Sequence, residues 1–168
     1  TRPLLISQNV DVNNIYTFVD KDNVLYANSG GHRVNAYGLI NPDKPEKGIK
    51  VLRTLDFTKD LESVAKGGSP SLKKYGVLIV GLNLTYDGKL IVLSSRSVTV
   101  MDRSFKGKRH TVVFGHDEHV SNSMAVDDKG GIYVASDTTM HKLVWTGSKL
   151  SAKEADGAWS SPYEYGQE

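Results

Sequence analysis

The chain has no cysteine among its 168 residues, which excludes disulfide cross-links and thiol chemistry. Apolar runs such as Val77–Val80 are only as long as a strand, far short of a membrane-spanning helix. The 21 basic and 19 acidic residues are spread along the chain and leave a net charge of +2, with no basic stripe. We therefore expect neither a membrane nor a nucleic-acid partner. No signal peptide is recognisable, and without cysteine the compartment stays open between periplasmic or secreted and cytoplasmic.

Helical periodicity is scarce too. The one helix-like stretch, Asp60–Ala65, is short and is stopped by glycines and a proline at positions 67–70. The dominant pattern is instead the alternation of half-buried strands, clearest between Asp117 and Trp145. There, Met124 and Val126 precede a turn rich in Asp and Gly at 127–131, and Ile132 and Val134 follow it. A second turn at 136–138 leads into a third strand, so the stretch predicts a three-stranded meander.

This unit recurs upstream. A single gapless shift superposes Met124 on Leu82, Ile132 on Leu90 and the turn residue Gly130 on Gly88. A second, longer shift superposes Leu82 on Tyr16 and Leu90 on Val24, again without a gap. A period near 40 with four short strands per unit is typical of a β-propeller blade. The sequence therefore predicts an all-β chain of four-stranded blades.

The repeat also predicts the domain organisation. We expect a single partial propeller domain over 1–168: blade one at 14–57, an insertion at 58–75, blade two at 76–115, blade three at 119–154 and the start of a next blade at 155–168. The innermost strands should lie near Asn14–Val19, Val80–Thr85 and Asn122–Asp127.

Three blades do not close a ring, because propellers have about four to eight. We expect the chain to be the N-terminal half of a six-bladed ring, since uncovered blade faces would leave apolar side chains in water. The expected partner is a second half-propeller, which is a C-terminal part, a separate chain or a second copy. It should bury more than roughly 2,000 Å², and the free chain should not be a stable monomer.

Candidate site residues precede the innermost strands, where a propeller has the mouth of its central channel. They are Asn14, Val80 and Asn122. Asparagine oxygens can bind a hard cation such as Ca²⁺, and asparagine also starts strands by bonding to nearby backbone. The loop His116–His119 has the spacing H-x-x-H, which is weak for zinc, and a solvated polar loop is the favoured interpretation. His141 should face outward, and no Ser-His-Asp arrangement is predicted.

Two stretches carry a family resemblance. Val120–Met124 and Asp128–Asp137 resemble the blade motif of the senescence-marker-protein/gluconolactonase and strictosidine-synthase-like propellers. The resemblance implies a six-bladed fold with a channel cation, usually Ca²⁺, bound by Asn122. It also implies a ligand at Asp156, within a stretch similar to the family's P-D-G-M. Asn14 stands where the family has a glutamate ligand, and Ile79-Val80-Gly81 is apolar where its lactonases are polar.

Two functions follow as hypotheses. The first is a Ca²⁺-dependent hydrolase of a lactone or ester, acting at the channel mouth. Its metal would be held by Asn122, Asp156 and Asn14, with Glu118 or His119 as candidate bases. The second is a non-catalytic propeller that binds a small ligand or a protein. The apolar rim of blade two and the absent glutamate favour this second hypothesis.

Overall fold

The computed structural model describes residues 17–66 and 76–163, whose regular secondary structure is almost entirely β-strand. Their strands, in chain order, are β1 Phe18–Val19, β2 Leu25–Ser29, β3 Arg33–Leu39, β4 Ile49–Asp56, β5 Ile79–Leu84, β6 Leu90–Ser94, β7 Ser97–Met101, β8 His110–Val113, β9 Met124–Val126, β10 Gly131–Ala135, β11 Thr139–Trp145, β12 Leu150–Ser151 and β13 Trp159–Pro162. Short 3₁₀ turns lie at Pro45–Lys47 and Glu154–Asp156. The predicted all-β class is confirmed.

The strands form three consecutive antiparallel sheets. The first has the order β1-β2-β3-β4, the second β5-β6-β7-β8 and the third β12-β11-β10-β9, with β13 also pairing with β11. Each sheet is therefore a meander of strands that follow one another along the chain, as the repeat predicts. β1, β5 and β9 lie at the edge of their sheets where the innermost strand of a blade is expected.

The first hairpin turn of each sheet is fixed by a side chain that accepts bonds from the turn's own backbone. Asp20 Oδ1 accepts from the backbone N–H of Asp22 at 2.9 Å and of Val24 at 3.0 Å. Asp127 Oδ1 accepts in the same way from Lys129 at 2.9 Å and Gly131 at 2.7 Å. In the second sheet Thr85 Oγ1 replaces the carboxylate and accepts from Lys89 at 2.8 Å. These Asx-type turns explain why the loops tighten at these positions.

Gly130 shows why the third of these turns needs glycine. Its φ is +84°, and a Cβ there would lie 2.2 Å from the carbonyl oxygen of Trp145. The same contact region carries the backbone bond from Trp145 N–H to Gly130 O, at 2.8 Å. A side chain at this position would therefore break the join between the turn and β11.

The strand pairing confirms one predicted superposition and corrects the other. Leu82 pairs with Val92 as Met124 pairs with Val134, which is the predicted match of blades two and three. Phe18 pairs with Tyr26 as Asn83 pairs with Ile91, so Phe18 is the counterpart of Asn83. The predicted shift placed Phe18 on Leu84 and is wrong by a single position. Such a slip turns every side chain to the other face. Tyr26 is thus the counterpart of Ile91 and Tyr133, not of Val92.

Two apolar interfaces hold the three sheets together. The first interface, between sheets one and two, is built from Tyr26, Val34, Ala36, Leu55, Phe57, Leu61, Val77, Ile79, Leu82, Leu90, Val92 and Met101. The second interface, between sheets two and three, is built from Ile91, Leu93, Val98, Val100, Phe114, Val120, Met124, Ile132, Val134, Leu143 and Trp145. β6 shows the alternation directly, because successive residues from Leu90 to Leu93 face the first and second interfaces in turn.

The stretch predicted to start a fourth blade belongs to the third sheet instead. Trp159 pairs with Lys142 and Pro162 with Thr139, so β13 lies along the first half of β11. β12 pairs with the second half of the same strand. The outer edge of the third sheet is therefore one strand interrupted by the 3₁₀ turn Glu154–Asp156. The prediction that 155–163 enters a next blade is wrong, and 164–168 lie outside the described residues.

The predicted helix-like stretch forms the helix α1, Thr58–Ala65, in the connection between sheets one and two. Leu61 is buried in the first interface, and Arg96 Nη1 donates to the carbonyl of Val64 at 2.6 Å. α1 is thus packed on both sheets it connects. No helix of the described ranges is long and apolar enough to cross a membrane.

Candidate functional site

Two ends of the structure differ in what they carry. At the loop end lie the described residues that follow or precede a sheet where the chain passes to the next one, 57–66, 76–78 and 114–123, and the turn at 136–138 lies there too. Residues 119 and 137 exchange backbone and side-chain bonds: Asp137 N–H donates to His119 O at 2.9 Å, and His119 N–H donates to Asp137 Oδ1 at 2.8 Å. The opposite, turn end carries the hairpins that follow β1, β5 and β9. The candidate bases lie at the loop end.

Glu118 is the centre of a polar cluster at the loop end. Its Oε2 accepts from Ser136 Oγ at 2.8 Å and from His141 Nε2 at 2.5 Å, and its Oε1 accepts from the backbone of Gly115 at 2.9 Å. The side chains of His141 and Glu118 are only 13% and 16% exposed. Burial raises the pKa of Glu118, but the hydrogen bonds from His141, Ser136 and Gly115 outweigh it and lower the pKa below its ordinary value. Glu118 is therefore held as a carboxylate.

The geometry of this cluster ties a loop to a turn and gives no nucleophile–base pair. Ser136 Oγ bonds to the carboxylate and not to the imidazole, and it also accepts from the backbone of Thr139 at 3.0 Å. The ring of His141 lies against Phe114, with centroids 4.8 Å apart. The prediction that His141 faces outward is wrong, because its imidazole turns in to meet Glu118. A histidine that holds a serine for attack would instead contact its hydroxyl.

The four residues His116–His119 point in different directions. His116 Nδ1 lies 2.8 Å from Asp117 Oδ1, and both side chains are exposed. Glu118 turns inward, and the backbone of His119 bonds to Asp137. No group of three His, Asp or Glu side chains with metal-binding geometry occurs within 17–66 and 76–163. The interpretation of this stretch as a polar loop stays a prediction.

The predicted calcium ligands are not brought together. Asn122 is exposed at the loop end just before β9, and its Oδ1 accepts from Ser123 N–H at 2.8 Å. Asp156 lies beside β12 and accepts from Ser151 Oγ at 2.5 Å and pairs with Lys149 at 3.1 Å. β9 and β12 are the two edges of the third sheet, roughly 14 Å apart at the usual strand spacing.

The third predicted ligand, Asn14, lies outside the described residues. Asp156 belongs to the interrupted outer strand of the third sheet and not to a next blade, so the predicted match to P-D-G-M does not place it at a channel mouth. The residues present do not fit one calcium ion shared by Asn122 and Asp156. Val80, at the predicted rim of blade two, packs against the second interface.

Sequence reasoning missed a second set of polar contacts, at the turn end, which we name the turn-end contacts. Across the first interface, Arg103 Nη1 lies 2.6 Å from Asp20 Oδ2 and Nη2 lies 3.6 Å from Asp22. Across the second, Trp145 Nε1 donates to Asp87 Oδ2 at 3.0 Å. The shift that superposes blade three on blade two also places Trp145 on Arg103, so the repeat itself was the signal that could have found them.

The turn-end contacts shift the pKa of both acceptors. Burial raises the pKa of Asp20, but bonds from the turn backbone, Tyr26 and Arg103 outweigh it and lower the pKa. At Asp87 the effect of burial on the pKa is likewise outweighed, by bonds from Thr85 and Trp145. Both groups are therefore ionised acceptors that join neighbouring sheets.

Comparison with known proteins supports the fold and leaves the family open. No protein-family profile matches the chain. A curated relative, an uncharacterized protein of Archaeoglobus fulgidus, is 32% identical over 98 residues, which are 55% of this chain and 18% of the relative. The matched stretch thus covers less than a fifth of the length of that relative.

Three solved structures are similar. A protein from Lactobacillus plantarum gives a TM-score of 0.56 at 16% identity, over 88% of this chain and 40% of the other. Virginiamycin B lyase from Staphylococcus aureus gives a TM-score of 0.50 at 12% identity, over 95% of this chain and 43% of the lyase. The extracellular domain of a putative hybrid two component system from B. thetaiotaomicron gives a TM-score of 0.51 at 11% identity, over 89% of this chain and 16% of the other. At such identities the likeness is one of fold alone, and that fold is β-propeller-like.

Proposed function

We propose that this chain is a propeller segment that binds a small polar ligand or a protein at its loop end and is not itself a catalyst. The observation that carries the proposal is the state of Glu118. Its carboxylate already accepts from His141, Ser136 and the backbone of Gly115. A general base must be free to take a proton from a substrate or water within hydrogen-bond reach, and this carboxylate is committed to holding a loop.

The surface that remains for a ligand lies beside this cluster. Asn122 and His119 belong to the loop before β9, and Asp137 lies in the turn bonded to that loop. Because the bond between Glu118 and Ser136 joins the two segments, the exposed Asn122 and the half-buried His119 and Asp137 are held in fixed positions. A preorganised rim of this kind lowers the entropic cost of binding.

A metal-assisted hydrolase of a lactone or ester is the second candidate. One observation favours it: Glu118, His119 and Asn122 share a single loop at one end of the structure. The separation of Asn122 from Asp156 weighs against it.

Calorimetric titration with Ca²⁺ and a hydrolysis assay on lactones and aryl esters separate the two candidates. The proposal predicts no Ca²⁺-dependent turnover above background. It also predicts that binders found in a thermal-shift screen lose their effect in Asn122→Ala and keep it in Asp117→Asn, an exposed neighbour in the same loop. Ca²⁺-dependent hydrolysis that Asn122→Ala or Glu118→Gln abolishes, while Asp117→Asn retains it, would overturn the proposal in favour of the hydrolase.

A further inference from the structure

A three-part polar unit occurs twice in the structure. In the first sheet, Tyr26 O–H donates to Asp20 Oδ2 at 3.2 Å, and the guanidinium carbon of Arg53 lies 5.6 Å from the centre of the Tyr26 ring. In the third sheet, Tyr133 O–H donates to Asp127 Oδ2 at 2.8 Å, and Lys142 Nζ lies 5.7 Å from the centre of the Tyr133 ring. Each aspartate uses its other oxygen to fix the hairpin turn, as described above.

The two units differ in what covers them. In the first, sheet two lies over the unit, Arg103 reaches Asp20, and the Asp20 side chain and Tyr26 are 2% and 0% exposed. In the third, Asp127 and Tyr133 are half-buried. Among the described residues, no basic side chain of another sheet bonds to Asp127. The third sheet therefore presents the same acceptor that the first sheet presents to Arg103.

We propose that the outer face of the third sheet is covered by a further propeller blade whose arginine occupies the position of Arg103 and binds Asp127. The proposal deepens the propeller assignment and rests on it. It commits to a blade of stated chemistry: four antiparallel strands, with a guanidinium two positions beyond the residue that corresponds to Met101. Charge complementarity with Asp127 and continuity with the two existing interfaces support that occupant.

A native second copy of this chain is not that blade. Leu90 pairs with Met101 in the second sheet as Leu25 pairs with Tyr37 in the first. The first-sheet counterpart of Arg103, two positions further on, is therefore Leu39, which has no hydrogen to donate. A second copy placed against the third sheet would offer Asp127 no guanidinium from the covering sheet.

The composition of the face makes this polar contact more important. Ala135 and Met140 stand where the second sheet has Leu93 and Val98, both 0% exposed in the second interface. Trp159 is 42% exposed, and its ring lies 6.4 Å from that of Tyr133. A face with less aliphatic surface and two half-covered aromatic rings depends more on a charged contact for its partner.

The difference between Leu39 and Arg103 supplies the test, with the chain itself as the probe. Introducing the missing arginine, Leu39→Arg, into the whole chain should strengthen self-association measured by sedimentation velocity. A charge-assisted bond at each contact should lower the dimer dissociation constant by about tenfold or more. Leu39→Lys should give a smaller gain, and Leu39→Gln, a neutral matched control, little or none. Trp159 emission should shift to shorter wavelength on association.

Second substitutions at Asp127 and Asp128 test whether the gain in association depends on Asp127. Adding Asp127→Asn to Leu39→Arg should remove the gain, whereas adding Asp128→Asn, the neighbouring carboxylate, should leave it. A folded Leu39→Arg or Leu39→Lys chain with no tighter association would overturn the proposal, as would a gain that survives Asp127→Asn. Native dimers that Asp127→Asn weakens would overturn the exclusion of a native second copy as the occupant. This experiment measures self-association through residues at the turn end, whereas the proposed ligand surface at Asn122 lies at the loop end. A negative result would therefore not bear on the proposed function.

Discussion

The first and second interfaces follow the same plan with different chemistry. Both bury alternating apolar rows of β6, with Leu90 and Leu93 at 0% exposure on opposite faces. At the turn end, however, the first uses the charged pair of Asp20 and Arg103, and the second uses the neutral indole of Trp145 on Asp87. The comparison shows that the position of a contact is repeated from blade to blade while the residue type is free to change.

The loop ends of the two interfaces differ further. The first carries α1, which buried Arg96 ties to the second sheet through the carbonyl of Val64. The second is fixed by Glu118, Ser136 and His141 in place of a helix. Loop-end polar groups thus serve the local connection, which varies in length, whereas turn-end contacts follow the repeat.

The largest losses of stability should come from substitutions in the apolar rows of β6, and they should be equal for the two interfaces. We expect Leu90→Ala and Leu93→Ala each to lower the free energy of unfolding by about 2–5 kcal/mol, because each leaves a cavity in a buried interface. Urea denaturation measures both. Val51→Ala, at a side chain 51% exposed, is the control and should change stability by about 0.5 kcal/mol or less. A negligible loss at either leucine would mean that its interface is not formed.

Substitutions in the turn-end contacts should lower stability by different amounts in the two interfaces. Asp20→Asn removes the buried carboxylate beside Arg103 and leaves it only the exposed Asp22 at 3.6 Å, and we expect a loss of about 3 kcal/mol. Asp87→Asn keeps an oxygen for the indole of Trp145, and we expect about 1 kcal/mol. Denaturation of the two variants side by side measures the difference. Equal losses would contradict the distinction between a charged and a neutral contact.

At the loop end, Glu118→Gln should cost about 1–2 kcal/mol, because the amide cannot accept all the bonds that the carboxylate accepts from His141, Ser136 and Gly115. Asp117→Asn, whose side chain is 81% exposed, should be neutral. Thermal unfolding of both variants checks this. A neutral Glu118→Gln would show that the cluster does not fix the loop.

The pH dependence should be the mildest effect near neutrality and should appear only in acid. The folded-state pKa values of Asp20 and Asp87 lie below the ordinary value of 3.8, and hydrogen bonds from Ser104 and Lys89 lower the pKa of Asp102 to about 2. A lowered folded pKa gives stability that is present above the unfolded pKa and is lost as pH falls through the folded one. Stability should therefore be level above about pH 5 and decline from about 4 towards 2, and Asp20→Asn should flatten that decline.

The architecture could be predicted from the sequence because strand alternation and turn residues are signals between residues that are close along the chain. The match between blades two and three was predicted correctly, since Met124 and Leu82 lie in strands with the same in–out pattern. The first blade was displaced by a single position because β2 is buried on both faces, from Tyr26 to Ser29, and offers no alternation to fix the register.

The candidate site was less predictable because its contacts join distant residues. Glu118 was singled out, but its partners Ser136 and His141 lie 18 and 23 residues further on and carry no local signature. The residues around Asp156 resemble a metal-binding motif, yet Asp156 lies in a turn that interrupts an outer strand. Only the strand pairing reveals that interruption.

A double-mutant cycle on Asp20 and Arg103 tests most directly the claim that turn-end polar contacts join the blades. Asp20→Asn, Arg103→Met and the double variant are unfolded in urea beside the same cycle for Asp87→Asn and Trp145→Phe. We predict a coupling free energy of about 2 kcal/mol for the first pair and less than about 1 kcal/mol for the second. Strict additivity at Asp20 and Arg103, to within about 0.3 kcal/mol, would contradict the account.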